Sequence, residues 1–176
     1  MAAPGVKRSD PDYFAAVLVN HVLGGGVFTA RLYEEVREKR GLAYSVYSAI
    51  SPMDYSALVV AGGGTTNGSV GEMLDIIRAE WRRIGIEGIS ADELKNAKTY
   101  VTGAFPLRFV SSNAVAGILV AMQAHDLGID YLDKRNELID RVTIEDARRV
   151  ARRLFAGSPP QVVVVGRPKS LGVAGR

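Results

Sequence analysis

The stretch Arg31 to Ser48, RLYEEVREKRGLAYSVYS, changes its period once, at Gly41. Before the glycine, Leu32, Tyr33 and Val36 share one side of a short amphipathic helix starting near Thr29, and Glu34, Glu35, Glu38 and Lys39 share the watered side. After it the residues alternate. Leu42, Tyr44, Val46, Ser48 and Ile50 fall on one face of a strand, and Ala43, Ser45, Tyr47 and Ala49 on the other. Gly41 stops the helix, because glycine accepts the left-handed conformation that ends one. A helix that turns at once into a strand predicts mixed architecture.

On the C-terminal side, Ser51-Pro52-Met53-Asp54 turns the chain and Tyr55 to Ala61 reads as the antiparallel partner, a hairpin with a connection of four residues or slightly more. On the N-terminal side, Asp10-Pro11 caps a helix whose stripe is Tyr13, Phe14, Val17, Leu18, His21 and Val22, and Gly24 to Gly26 end it. Beyond Gly62 to Gly64, a cap at Asn67 leads into a long helix with Val70, Met73, Leu74, Ile77 and Trp81. Ser90-x-x-Glu93 and Thr143-x-x-Asp146 are capping boxes. The first opens a helix running towards Pro106, and the second a helix ending near Phe155. Between them, Ser111 or Ser112 to Leu127 predicts an apolar, alanine-rich, deeply packed helix and Tyr131 to Ile139 a shorter one. After Pro159-Pro160, Val162 to Val165 predicts a buried closing strand. The order defines an α+β fold: a mostly antiparallel sheet with helices layered on one face.

The 176 residues fit one domain, 1–176, large enough for a real core. The absence of cysteine excludes disulfides, thiolate metal sites and cysteine nucleophiles together. Lys and Arg exceed Asp and Glu by 22 − 19 = 3, too few to imply nucleic acid. No apolar run approaches the about 20 residues of a membrane span. The start, Met-Ala-Ala-Pro-Gly-Val-Lys-Arg, has no signal-peptide core and reads as a cut through a longer protein.

The glycine triplets invite a phosphate-binding reading. Gly24 to Gly26 follows a helix, and Gly62 to Gly68 carries Asn67 where a dinucleotide fingerprint needs its third glycine. Both are better read as turns and close backbone approaches. Arg148, Arg149, Arg152 and Arg153 form one side of the last helix, expected to be solvated. His21 and His125 have no second ligand at helical metal spacing and are read as structural. Arg37 in the last helical turn and Tyr44 two residues into the strand are different, because the tight turn between them brings guanidinium and phenol towards one point. Together they offer donors to a carbonyl that becomes an oxyanion during acyl transfer. The plainer alternative is that Arg37 pairs with Glu34 or Glu38 and Tyr44 fills core.

Leu18-Val19-Asn20-His21-Val22-Leu23-Gly24-Gly25-Gly26, Arg31-Leu32, and Arg37-Glu38-Lys39-Arg40-Gly41-Leu42-Ala43-Tyr44-Ser45-Val46 resemble the C-terminal domain of the pitrilysin and mitochondrial processing peptidase family. These are inverzincins, zinc peptidases marked by His-x-x-Glu-His. The likeness runs from about Asp12 to Gly166 and includes Ser90 to Lys98 and Val142 to Ala151. It implies one half of a chamber built from two similar domains, with zinc in the other half. That partner is an N-terminal zinc-bearing domain or a paired catalytic subunit, so a homo- or heterodimer is expected, closing on an extended peptide substrate. By the same resemblance, Arg37 holds a substrate carbonyl and Tyr44 hydrogen-bonds it or steadies the tetrahedral intermediate. The sequence contains no His-x-x-Glu-His, so no metal or cofactor is expected here and the domain alone should be inert. The resemblance also implies a strand before the first helix, of which Met1 to Ser9 retains at most the end. A truncated strand would leave an unpaired sheet edge, which predicts pairing with another copy or poor solubility. The alternatives are a scaffold similar to the core subunits of respiratory complexes, and a nucleotide enzyme using Gly62 to Gly68.

Overall fold

The computed structural model describes residues 1–26, 28–157 and 159–169; of the expected domain 1–176, the remainder lies outside the described residues. Strands β1 (Ala2–Pro4), β2 (Ala43–Pro52) and β3 (Ala57–Thr65) form an antiparallel sheet in the order β1-β3-β2. The β2–β3 connection is the four residues Met53 to Ser56, closed by the Met53 amide donating to the Ser56 carbonyl at 3.0 Å. Ala3, Val46, Ser48, Val59 and Ala61 are buried on the inner face. Over that face lie α1 (Tyr13–Asn20), widened at its end into a π-helical turn (His21–Gly25), and a second π-helix (Tyr33–Glu38). Helices α2 (Val70–Glu87), α3 (Ala91–Gly103), α4 (Ser112–Ala124), α5 (Tyr131–Asp140) and α6 (Ile144–Phe155) follow, with a 3-10 turn at Pro106–Phe109. The fold is α+β, as expected.

The core is set by apolar stripes that meet. Helix α6 packs against α1 and α2, so that Val150, Leu154 and Phe155 join Leu18, Ile77 and Trp81. The Trp81 and Phe155 rings meet edge to face at 4.8 Å. The first glycine triplet works by closeness. Asn20 Nδ2 donates to the Ser48 carbonyl and Ser48 Oγ donates to the Asn20 carbonyl, both at 3.3 Å, clamping α1 to β2. Gly24 then lies so near the strand that a Cβ would sit 2.6 Å from the Ser48 nitrogen. The second triplet, Gly62 to Gly64, belongs to β3 itself, paired with Tyr47, Val46 and Ser45, which is not the strand-to-helix phosphate loop of the nucleotide reading.

Both capping boxes form. In the first, Ser90 Oγ accepts from the Glu93 amide and Glu93 accepts from the Ser90 amide. Glu93 also takes a two-pronged contact from Arg31, both nitrogens at 2.8 Å, tying the entry of the second π-helix to α3. Burial works to raise the Glu93 carboxyl, but the Arg31 guanidinium and the Ser90 amide outweigh it and hold the group below the usual carboxylate range. Glu93→Ala removes a cap and strands the largely buried Arg31 cation. A loss of about 2 kcal/mol is expected from denaturant midpoints at constant m-value.

Three expectations are corrected. Helix α4 is apolar but not deeply packed: among its residues only Met122 is buried, and Leu119 and Val120 stand exposed. Its composition set no contact partner, and on its outer side no element of the described residues covers it. Val162 to Val165 is not a buried strand. A single antiparallel bridge, Ala2 to Gln161, starts the pairing and places Val162 opposite Met1. The described residues continue the pairing no further, and Val163 and Val165 are exposed. The arginine side of α6 is only partly solvated. Arg149 contacts Asp12, and Arg153 contacts Asp10 and Asp12, at 2.7–2.9 Å, pinning the start of α1 to α6.

Chiefly through its hydrogen bond with Arg153, the Asp10 carboxyl is held below its ordinary value of 3.8. A carboxyl depressed in the folded state stabilises above its unfolded value and loses that contribution as pH falls through the folded one. Acid unfolding of the protein is therefore expected to steepen below about pH 4. Asp10→Asn should flatten that part of the stability–pH curve, measured by denaturant titrations from pH 5 to pH 2.

Candidate functional site

The site lies where the second π-helix meets β2. Hydrogen bonding one residue wider than an α-helix, such as the Lys39 amide to the Glu34 carbonyl at 2.9 Å, swings this helix through Tyr33 to Glu38. Gly41, at φ +60°, reverses the chain while the Gly41 and Leu42 amides satisfy the carbonyls of Arg37 and Val36. Strand β2 then begins with a bulge: Ala43 pairs with Thr65 and Ser45 with Gly64, so Tyr44 is the extra residue. This corrects the expected alternation. The bulge removes Tyr44 from the face of Val46 and Ser48 and leaves it 85% exposed.

The guanidinium of Arg37 sits between two aromatic rings, 4.9 Å from the Tyr33 centroid and 5.0 Å from that of Tyr44. Arg37 and Tyr44 are therefore brought together, as their spacing suggested. Tyr33, read from sequence only as part of a buried stripe, is buried and also forms the inner plate of this sandwich. Its signal was the i, i+4 spacing to Arg37. The acidic neighbours are engaged elsewhere: Glu35 accepts from Lys39 and Arg40, and Glu34 pairs with Lys39. Lys39 first, then Arg40, holds the Glu35 carboxyl below the usual range. Among the described residues, Arg37 forms no ion pair, so the pairing with Glu34 or Glu38 weighed from sequence is not made. Its donor edge is free for an incoming carbonyl.

Other expected features fall away from this corner. His21 stacks on Tyr100 at 4.8 Å, and burial lowers its pKa, as for a packed neutral imidazole. Among the described residues, no three His, Cys, Asp or Glu side chains gather as metal ligands, and no single helix is long and apolar enough to cross a membrane.

This α+β domain presents, at one corner, a guanidinium without an ion pair among the described residues and an exposed phenol, two groups able to donate hydrogen bonds to one oxygen. The chain belongs to peptidase family M16: residues 1–101 match the family's "Peptidase M16 inactive domain". It is similar to an uncharacterized zinc protease of Streptomyces coelicolor, 32% identical over 94% of this chain and 36% of that protein. Another such protein, from Bacillus subtilis, is 35% identical over 86% of this chain and 37% of its own length. The chain thus spans about a third of the curated relatives it matches. Among solved structures, the M16 inactive domain from Pseudomonas fluorescens superposes with a TM-score of 0.76 at 32% identity, over 87% of this chain and 36% of that one. Complex III from Candida albicans shares the fold at a TM-score of 0.72 and 19% identity, over 86% of this chain and 38% of that one.

Proposed function

We propose that this domain is the substrate-holding half of a zinc endopeptidase chamber acting on extended peptides. The reading is carried by Arg37, whose guanidinium lies over both Tyr33 and Tyr44 and makes no ion pair among the described residues. Its guanidinium would donate to a backbone carbonyl of the peptide, and the Tyr44 hydroxyl would donate to the same oxygen as negative charge develops. The sandwich orients the fork in advance, so little side-chain entropy remains to be lost on binding. Zinc, held by a facing N-terminal domain or paired subunit, would supply the activated water. The longer curated relatives from Streptomyces coelicolor and Bacillus subtilis are named uncharacterized zinc proteases, which supports zinc elsewhere in the longer protein.

Reconstitution tests the reading. The domain is mixed with a zinc-bearing M16 domain, and metal content and cleavage of an unstructured peptide are measured for each part and for the mixture. Zinc on the other domain only, with chelator-sensitive cleavage that rises at least tenfold in the mixture, is the expected result. Cleavage no faster than that of the zinc-bearing domain alone would overturn the reading and leave a scaffold.

A further inference from the structure

The opposite end of β2, at Pro52, borders a cavity of about 330 Å3 enclosed by α1, the 3-10 turn, α4 and α5. Its charged lining is entirely cationic: Arg8, Arg108 and Arg135 face it, and no Asp or Glu does. Arg135 is only 9% exposed, yet its contacts are the Val101 carbonyl, at 3.3 and 3.4 Å, and the Asn136 side-chain oxygen at 3.0 Å, all neutral. Among the described residues none of the three guanidinium groups is ion-paired, whereas Arg149 and Arg153 on α6 are. A cation buried to this degree normally has an anionic partner, because its desolvation is otherwise uncompensated. Burial lowers the Arg135 pKa; the Tyr131 phenol opposes the shift, and the neighbouring cations Arg108 and Arg8 add to it.

The rest of the lining includes His125, aliphatic residues such as Val17, and the aromatic rings of Tyr13, Phe14, Phe105 and Tyr131. Arg8 lies 4.1 Å from the centroid of Tyr13 and 5.1 Å from that of Tyr131, and Arg135 stacks on Phe105 at 3.9 Å. Stacking fixes guanidinium planes while leaving their edges open, the geometry that accepts planar or tetrahedral oxyanions. Three guanidinium groups at one cavity, of which Arg135 is buried, suit a dianion better than a single carboxylate, and the cavity exceeds what one phosphate group fills, leaving room for a ring against the aromatic residues. We propose that this cavity is a binding site for an organic phosphate monoester carrying a planar ring, its phosphate oxygens taken by Arg8, Arg108 and Arg135. The site goes beyond the proposed peptide-holding role and does not depend on it.

Calorimetric titration at low ionic strength with phenyl phosphate, AMP and O-phosphotyrosine tests this, alongside phenol and benzoate. Saturable binding of at least one phosphate ester is expected, at least tenfold tighter than benzoate, with no binding of phenol. The ester bound most tightly tells whether the ring is a nucleobase or a simple arene. Arg108→Gln and Arg8→Gln, both outside the tightly packed core, should each weaken binding about tenfold, the scale of one charged hydrogen bond. Arg152→Gln on α6 should leave it unchanged, and melting curves verify that every variant is folded. Absence of binding by all three esters, equal binding of benzoate, or affinity unaltered in folded Arg108→Gln and Arg8→Gln would each overturn the proposal.

Discussion

Arg37→Ala in the assembled enzyme is expected to lower kcat/KM for an extended peptide by about ten- to a hundredfold, the cost of one donor aimed at a developing oxyanion. The loss should fall mainly on kcat, because a donor that strengthens as charge develops contributes little in the ground state. Arg40→Ala is the matched control. Arg40 lies three residues on, but it is tied to Glu35 and stacked on neither tyrosine, so turnover should be unchanged. Arg37→Lys should recover only part of the loss, since an ammonium cannot lie flat between Tyr33 and Tyr44 and still present two parallel donors. Full activity in Arg37→Ala would remove the substrate role and favour a scaffold.

The second large effect is on stability. Gly24→Ala places a methyl group 2.6 Å from the Ser48 nitrogen, 2.8 Å from its hydroxyl and 2.9 Å from Leu32 Cδ1. Two of these neighbours belong to the strand residue that also clamps Asn20, so relief requires separating α1 from β2. We expect a loss of about 3 kcal/mol, near the upper end for overpacking. The corresponding fall in Tm is about 6–12 °C for a domain of this size, measured by calorimetry. A fall under about 2 °C would mean that the helix–strand contact yields without cost. Asn20 Oδ1, buried at the same junction with no partner among the described residues, adds no further hydrogen bond there to the clamp.

Features written in local chemistry were legible in the sequence. The capping boxes at Ser90 and Thr143, the stop at Gly41 and the four-residue hairpin connection depend on residues within a few positions of each other. Arg37 and Tyr44 were legible for the same reason, being joined by one tight turn. Features that depend on distant partners were not. Alternation cannot announce a bulge, so Tyr44 was placed with Val46 and Ser48, although the register against Thr65 and Gly64 turns it outward. An alanine-rich stretch such as Ser112–Ala124 states that a face can be buried, not what arrives to bury it. The contact of Arg31 with Glu93, sixty-two residues apart, leaves no periodic trace, nor does the gathering of Arg8, Arg108 and Arg135 from three separate segments.

The π-helical stretch from Tyr33 to Glu38 amounts to one surplus residue accommodated without breaking the helix. Removing a single residue there would let the ladder relax to ordinary α-helical bonding, and each position after the deletion would rotate by about 100°. Deleting Glu34 or Glu35 would carry Arg37 off the two tyrosine rings while Val36 sought a new place in the core. The arginine's aim is thus encoded in the count of residues in one turn as much as in their identity. A homologous chain one residue shorter in this turn would keep the fold and lose the stacking of its arginine on the strand tyrosine.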